Sequence, residues 1–245
     1  MRLTLRLVAI AGGLLVYVPL HYLWKLLGWR SPWPRHFLAW AARAAGMRVR
    51  TTGRPLPGNV LFVSNHLSWL DILIVAGATG AAFVSRDDIA RWPVIGWLAR
   101  LNNTIFVARS QRGAVRDQAD ALRDALASGQ PVALFPEGTT EGGHEVLPFR
   151  ASLFSSLFPP LPGVKVQPIA IDYGAAAREI AWVGQEPAAA NAGRVLSRRG
   201  STEVTLHFLE PVDPETVGDR KALAEMSRAE VVDALFPSAA ARLPL

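Results

Sequence analysis

Two kinds of hydrophobic pattern divide the chain. Residues 7–24 read LVAIAGGLLVYVPLHYLW without a formal charge, close to the roughly 20 apolar residues that a bilayer-crossing helix needs. After Pro34, RHFLAWAARAAG has helical spacing, with Phe37, Leu38, Trp40, Ala41 and Ala44 on one side and Arg35 and Arg43 elsewhere. From residue 47 short apolar runs alternate with amphipathic stretches. MRVRTTG (47–53) alternates as a strand does, and NVLFVSN (59–65) is a buried-strand run ending in polar residues. Ser68 can cap a helix reaching about Ala76, and AAFVS (81–85) reads as the next strand. VIGWLARL (94–101) reads as helix, TIFV (104–107) as strand, and GAVRDQADALRDALASG (113–129) as an amphipathic helix closed by Gly129. PVALF (131–135) follows as a buried strand and PFRASLFSSLF (148–158) as a helix. VKVQPIAIDY (164–173) and EVTLHFLEPV (203–212) are strands, and RKALAEMSRAEVVDALF (220–236) is a closing helix. The stretch 187–193 stands out only as Ala/Gly-rich. Strands separated by helices predict an α/β fold, a mainly parallel central sheet flanked by helices. Sites in such sheets lie beyond the carboxyl ends of strands.

Composition sharpens this picture at the N-terminus. The chain has 245 residues, 50% of them hydrophobic and 19% charged, which suits a packed core and excludes a disordered chain. Its net charge of +6 would ordinarily raise nucleic-acid binding. No acid occurs before Asp71, however, whereas Arg2, Arg6, Lys25, Arg30, Arg35, Arg43, Arg48, Arg50 and Arg54 all do. Acids outnumber bases in the remainder. Trp24, Trp29, Trp33 and Trp40 follow or flank the apolar run, and amphipathic rings favour the headgroup zone. A basic, tryptophan-rich, apolar N-terminus is the composition of a membrane attachment, and no nucleic-acid-binding motif competes with it. A signal peptide would need a small-residue cleavage site after the apolar run, where the chain instead continues YLWKLLGWRSPWPR. Residues 1–46 are therefore expected to form a two-helix membrane anchor. The alternative is that helix 33–46 belongs to the core of the body, residues 47–245.

Candidate chemistry sits at strand ends. Asn65-His66-Leu67-Ser68-Trp69-Leu70-Asp71 directly follows a strand. On a regular helix His66 and Asp71 would stand about 140° apart, so they meet only if His66 is on the loop and Asp71 in the first turn. Asp71 would then orient the imidazole and stabilise its protonated form. Ser68-x-x-Asp71 is equally a capping pattern, and both readings stay open from these residues alone. Phe135-Pro136-Glu137-Gly138-Thr139 places an acid after the strand 131–135, although Pro and Gly there also suit an ordinary turn. Phe106-Val107-Ala108-Arg109 sets a forked donor at another strand end, suited to phosphate or simply solvated. With no cysteine there is no thiolate nucleophile or disulfide. His21, His36, His144 and His207 are scattered, so no metal site is expected, and no Gly-x-Ser-x-Gly elbow marks a serine hydrolase.

Together these segments resemble the glycerolipid acyltransferase family, which includes 1-acylglycerol-3-phosphate acyltransferases. The resemblance covers roughly residues 47–213. His66 and Asp71 match the His-x4-Asp block, Phe106 and Arg109 the Phe-x-x-Arg block, and residues 135–139 the Phe-Pro-Glu-Gly-Thr block without change. Val166-Gln167-Pro168-Ile169-Ala170-Ile171 matches the Pro-containing strand, and Phe149-Arg150 occupies the place of a family Phe-Lys. The order is the family's. Where the third block is often followed by a base, Thr140 and Glu141 follow here, and Asn103 and Ala108 depart from the second block. These departures bear on the acceptor headgroup.

The resemblance implies a glycerol-phosphate acyltransferase-like fold and an O-acyltransferase acting at a membrane. His66 would be the general base supported by Asp71, and Arg109, Glu137, Gly138, Thr139 and Arg150 would bind substrate. Glu137 would meet a glycerol hydroxyl or order the Arg side chains. The acyl donor would be acyl-CoA or acyl carrier protein, with no further cofactor. The acceptor would be a lysophospholipid: lysophosphatidate first, lyso-ornithine lipid as the alternative. A non-catalytic lipid-binding membrane protein is the alternative of another class. The implied location is the cytoplasmic face of a bacterial inner membrane.

Overall fold

The computed structural model describes residues 1–107 and 114–237. Helices α1 (Arg2–Leu26) and α2 (Trp33–Ala44) precede β1 (Met47–Thr52), β2 (Val60–Ser64) and α3 (Leu70–Thr79). Next come β3 (Ala82–Arg86), α4 (Pro93–Leu101), β4 (Ile105–Val107), α5 (Ala114–Ala127), β5 (Val132–Leu134) and β6 (Lys165–Asp172). Helices α6 (Ala177–Ile180) and α7 (Ala188–Ser197), strand β7 (Thr202–Phe208) and helix α8 (Arg220–Leu235) complete the order.

The strands form one seven-stranded sheet in the order β1-β7-β6-β2-β5-β3-β4. All pairings are parallel except β6 with β7, so the mainly parallel sheet is as expected. Each central strand is buried on both faces, and the two-residue period sorts its side chains into two cores. Val60 and Phe62 of β2 join one core, with Leu70 and Ile74 of α3, Ala42 of α2 and Val195 of α7. Leu61 and Val63 join the other, with Leu122 and Leu126 of α5, Phe154 and Leu157, and Leu223 and Val231 of α8. Two elements differ from the sequence reading. Residues 148–158 hold a 3-10 helix over Ala151–Leu157, and the Ala/Gly-rich stretch 187–193 lies largely in α7, whose Asn191 and Val195 are buried.

Of the two helices expected to anchor the chain, one is apolar along its length. Among the described residues only α1 is long and apolar enough to cross a membrane, by length and composition, and most of it is exposed. Helix α2 instead buries Phe37, Ala41 and Ala42 and crosses α3 closely, with Ala39 against Gly77. Helix α1 lies on α2 through Trp40, whose indole nitrogen donates to the Ala9 carbonyl at 3.1 Å. The approach requires glycine at position 13, where a Cβ would stand 2.4 Å from Trp40 Cδ1. At its start α1 is tied to the body, because Arg6 donates to the carbonyls of Val195, Leu196 and Gly200 around the end of α7.

Candidate active site

The site is built where β2, β5 and β6 end side by side. Beyond the last β2–β6 register pair, Ser64 with Ile169, the Asn65 side chain extends the pairing. Its Nδ2 donates to the Ile171 carbonyl at 3.0 Å and its Oδ1 accepts the Ile171 amide at 2.8 Å. This fixes the point at which the chain leaves the sheet and places His66 on the loop, with Asp71 in the first turn of α3.

Asp71 is 0% exposed, and a carboxylate so buried is tolerable only when its oxygens are paired. Oδ2 receives the Leu67 amide at 2.7 Å, the Ser68 amide at 2.8 Å, and stands 2.8 Å from His66 Nδ1. Oδ1 accepts the Tyr173 hydroxyl at 2.5 Å. One side chain therefore both satisfies the loop amides and meets the imidazole: the amides that Asp71 accepts are those of the loop carrying the histidine. Burial, then the Asp71 charge and hydrogen bond, push the Tyr173 hydroxyl well above its ordinary pKa, so it remains a donor. With Nδ1 engaged by Asp71, the His66 side chain keeps 17% of its surface exposed and its ring stacks on Phe135 at 3.9 Å and 6°. Phe83 stacks in turn on Phe135 at 5.3 Å. The imidazole is thus fixed in plane and azimuth by Asp71 and Phe135, through Nδ1 and the ring face.

The 135–139 turn is locked to this loop by Glu137. Its Oε1 accepts the His66 amide at 2.7 Å and its Oε2 the Leu147 amide at 2.9 Å, and the residue is 2% exposed. Glu137 therefore faces inward as a brace between two loops. A backbone amide engages each of its oxygens, and these side-chain hydrogen bonds go to the two loops and not to an Arg side chain. Burial raises its carboxyl pKa to about 7, against the pull of those two amides, and the charges of Glu141 and Asp71 add to the rise. A second tie joins the same loops, from the Glu141 amide to the His66 carbonyl at 2.9 Å.

Gly138 adopts φ +72°, a left-handed conformation that glycine enters without a steric penalty. A Cβ there would also lie 2.9 Å from Arg150 Cζ, so the exposed Arg150 guanidinium packs directly over the turn. Thr139 is exposed beside it. Glu141, which follows where the family often has a base, turns its carboxylate into its own loop, accepting the amides of Gly143 at 2.5 Å and His144 at 3.1 Å. Arg109 lies outside the described residues. Among the described residues no group of three or more His, Asp and Glu side chains could hold a metal ion. The structure therefore brings together His66, Asp71, Glu137, Gly138 and Arg150, and adds Asn65, Tyr173 and Phe135, to which the motifs assigned no role.

A histidine-bearing loop at the ends of parallel strands, braced by an acid from the neighbouring strand, is the candidate site of this α/β fold. A family model described as Acyltransferase matches residues 48–172. The chain is 35% identical over 240 residues to a lyso-ornithine lipid O-acyltransferase of Brucella abortus, covering 91% of this chain and 90% of that protein. A protein of the same description from Rhizobium meliloti is 36% identical, with 89% and 82% covered. A 1-acyl-sn-glycerol-3-phosphate acyltransferase of Neisseria gonorrhoeae is 35% identical over 135 residues, covering 55% of this chain and 52% of its own. In fold, the chain is similar to the crystal structure of the 1-acyl-sn-glycerophosphate acyltransferase PlsC of Thermotoga maritima, with a TM-score of 0.67 at 24% identity over 95% of this chain and 92% of that one. The chain belongs to the Acyltransferase family. It is an acyltransferase with the α/β fold of PlsC.

Proposed function

We propose that this protein transfers an acyl chain from a thioester to the free hydroxyl of a lyso-ornithine lipid held in a membrane. The observation that carries the choice of acceptor is coverage. Relatives described as lyso-ornithine lipid O-acyltransferases match nearly the whole chain, while the glycerophosphate-acylating relative from Neisseria matches about half. The loop after the 135–139 turn supports the same choice. A base that would meet a phosphate is replaced by Thr140, whose hydroxyl donates to the Trp182 carbonyl, and by Glu141, spent on its own loop. The headgroup of the proposed acceptor is an amino acid and needs no phosphate clamp. Lysophosphatidate is the second reading, favoured by the intact 135–139 block and by Arg150 packed over it.

In the proposed step the acceptor hydroxyl donates its proton to His66 Nε2 as its oxygen attacks the thioester carbonyl. Asp71 accepts from Nδ1 throughout and stabilises the imidazolium. Collapse of the tetrahedral intermediate breaks the C–S bond, and the proton held by His66 passes to the departing thiolate. The donor is acyl-CoA or acyl carrier protein, and no enzyme-bound acyl group is needed. A poised base contributes about 10²–10⁴ to the rate, the rest coming from positioning. Helix α1 holds the site at the bilayer in which the acceptor is dissolved.

The test is thiol release by the purified full-length protein in detergent, supplied with lyso-ornithine lipid or lysophosphatidate in turn. The chain has no cysteine, so thiol reagents report product alone. The expected result is turnover on lyso-ornithine lipid with kcat/KM at least about tenfold above that on lysophosphatidate, an energy difference of about 1.4 kcal/mol. The reverse preference would give the function to the second reading.

A further inference from the structure

Helix α4 carries an apolar stripe that is covered at one end and bare at the other. Leu98 and Leu101 line a small cavity of about 30 Å3 together with Tyr17 and His21 of α1 and Phe37 of α2. Val94 stands one and two helical turns before them, and Ile95 one turn before Leu98, so all four belong to one face of α4. Val94 is nevertheless 55% exposed and Ile95 50%, and Trp92 just before them is exposed as well. Arg91-Trp92-Pro93-Val94-Ile95 is thus an unbroken exposed run of one base and four apolar residues, without an acid.

We infer that this run enters the same bilayer surface as α1 and forms a second membrane contact of the catalytic body. Three observations name a lipid surface as the occupant. The stripe is continuous with the cavity wall of α1, the described helix apolar enough for a membrane. Tryptophan and aliphatic residues beside an exposed arginine suit the boundary between headgroups and acyl chains, and Arg100 stands exposed at the other end of α4 with Lys25 and Arg30 at the α1–α2 turn. In the cavity wall, His21 Nε2 and the indole nitrogen of Trp33 are buried without a hydrogen-bond partner in the protein, which suits a neighbour that offers ester or amide carbonyls. Two contacts separated along the body fix its tilt as well as its attachment.

The absence of cysteine permits a direct test with the full chain. Single-cysteine variants Val94→Cys, Leu15→Cys on α1 and Lys221→Cys on α8 are labelled with a polarity-sensitive fluorophore. They are reconstituted in phosphatidylethanolamine–phosphatidylglycerol vesicles carrying nitroxide-labelled acyl chains. The expected result is that the label at 94 is quenched by the nitroxide lipids, as the label at 15 is, while that at 221 is not. A label at 94 that matches 221 overturns the inference. So does one shielded only as protein concentration rises, which would mean a second copy covers the run. The inference rests on α1 lying in the bilayer, and the label at 15 tests that separately. Ile95→Asp supplies a functional reading: activity in detergent micelles is retained, while activity on vesicle-embedded acceptor falls by about tenfold. An equal effect in micelles and vesicles also overturns it.

Discussion

Tyr173 and His66 hold the same carboxylate from its two ends, the Tyr173 hydroxyl on Asp71 Oδ1 at 2.5 Å and His66 Nδ1 on Oδ2 at 2.8 Å. A carboxylate pinned on one oxygen cannot rotate the other away from the imidazole. Tyr173 is thus a positioning residue. Tyr173→Phe should lower kcat by about tenfold with KM for both substrates unchanged. It should also lower the melting temperature by several degrees, since an unpaired buried acceptor costs about 1–3 kcal/mol. Steady-state kinetics beside thermal unfolding decide it. A lower melting temperature with normal kcat would leave Tyr173 a structural role only.

Asp71→Asn keeps the side chain's size and one acceptor oxygen but removes the charge that stabilises the imidazolium. The expected loss in kcat is about 10²–10⁴, with the fold retained by circular dichroism. Activity near normal in a destabilised variant would mean that Asp71 serves the loop amides alone.

Glu137 gives a pH signature of stability. Its carboxyl is at about 7 in the folded chain against an ordinary 4.5, so between those values the folded state holds a proton that the unfolded state has lost. The stabilisation is present in full below pH 4.5 and is lost as pH rises through 7. Glu137→Gln cannot ionise, and its cost, one amide left facing the carboxamide NH2, does not vary with pH. The variant's melting temperature should therefore gain on the wild type from pH 5 to pH 8. A constant difference across that range would contradict the burial-driven shift.

Arg150 lies over Gly138 at the open side of the turn, and in the proposed function it meets the acceptor carboxylate or phosphate. Arg150→Ala should raise KM for the acceptor by about tenfold, the effect of one charge-assisted hydrogen bond, and leave KM for the thioester unchanged. Equal increases for both would make it a donor-site or structural residue.

Much of this arrangement was legible before the fold was known, and the illegible part has a common cause. The runs 59–65 and 131–135 announce buried strands because their side chains are apolar on both faces, and His66 and Glu137 stand at the strand ends those runs define. Strand direction leaves no local trace, so the antiparallel pairing of β6 with β7 was not visible. Tyr173 and Asp71 are 102 residues apart and Glu137 and His66 are 71 apart, and no periodicity reports contacts of that separation. Glu137 illustrates the difficulty: the apolar run before it places it at a strand end, but nothing local shows that two amides needing an acceptor draw it inward. Helix α2 is ambiguous in composition, since its aromatic, alanine-rich face suits a membrane boundary and the surface of α3 alike.

The general-base assignment is tested most directly by His66→Ala, assayed for thioester turnover in detergent with the acceptor that the wild-type protein prefers. The His66 ring is partly exposed, and besides its stack on Phe135 it meets the buried Asp71 carboxylate. That carboxylate keeps the Leu67 and Ser68 amides and the Tyr173 hydroxyl when the ring is removed, so the variant should fold with only a modestly lower melting temperature. Its kcat should fall by at least about 10²-fold. A correctly folded His66→Ala protein that transfers acyl chains at a rate near the wild type would contradict the mechanism.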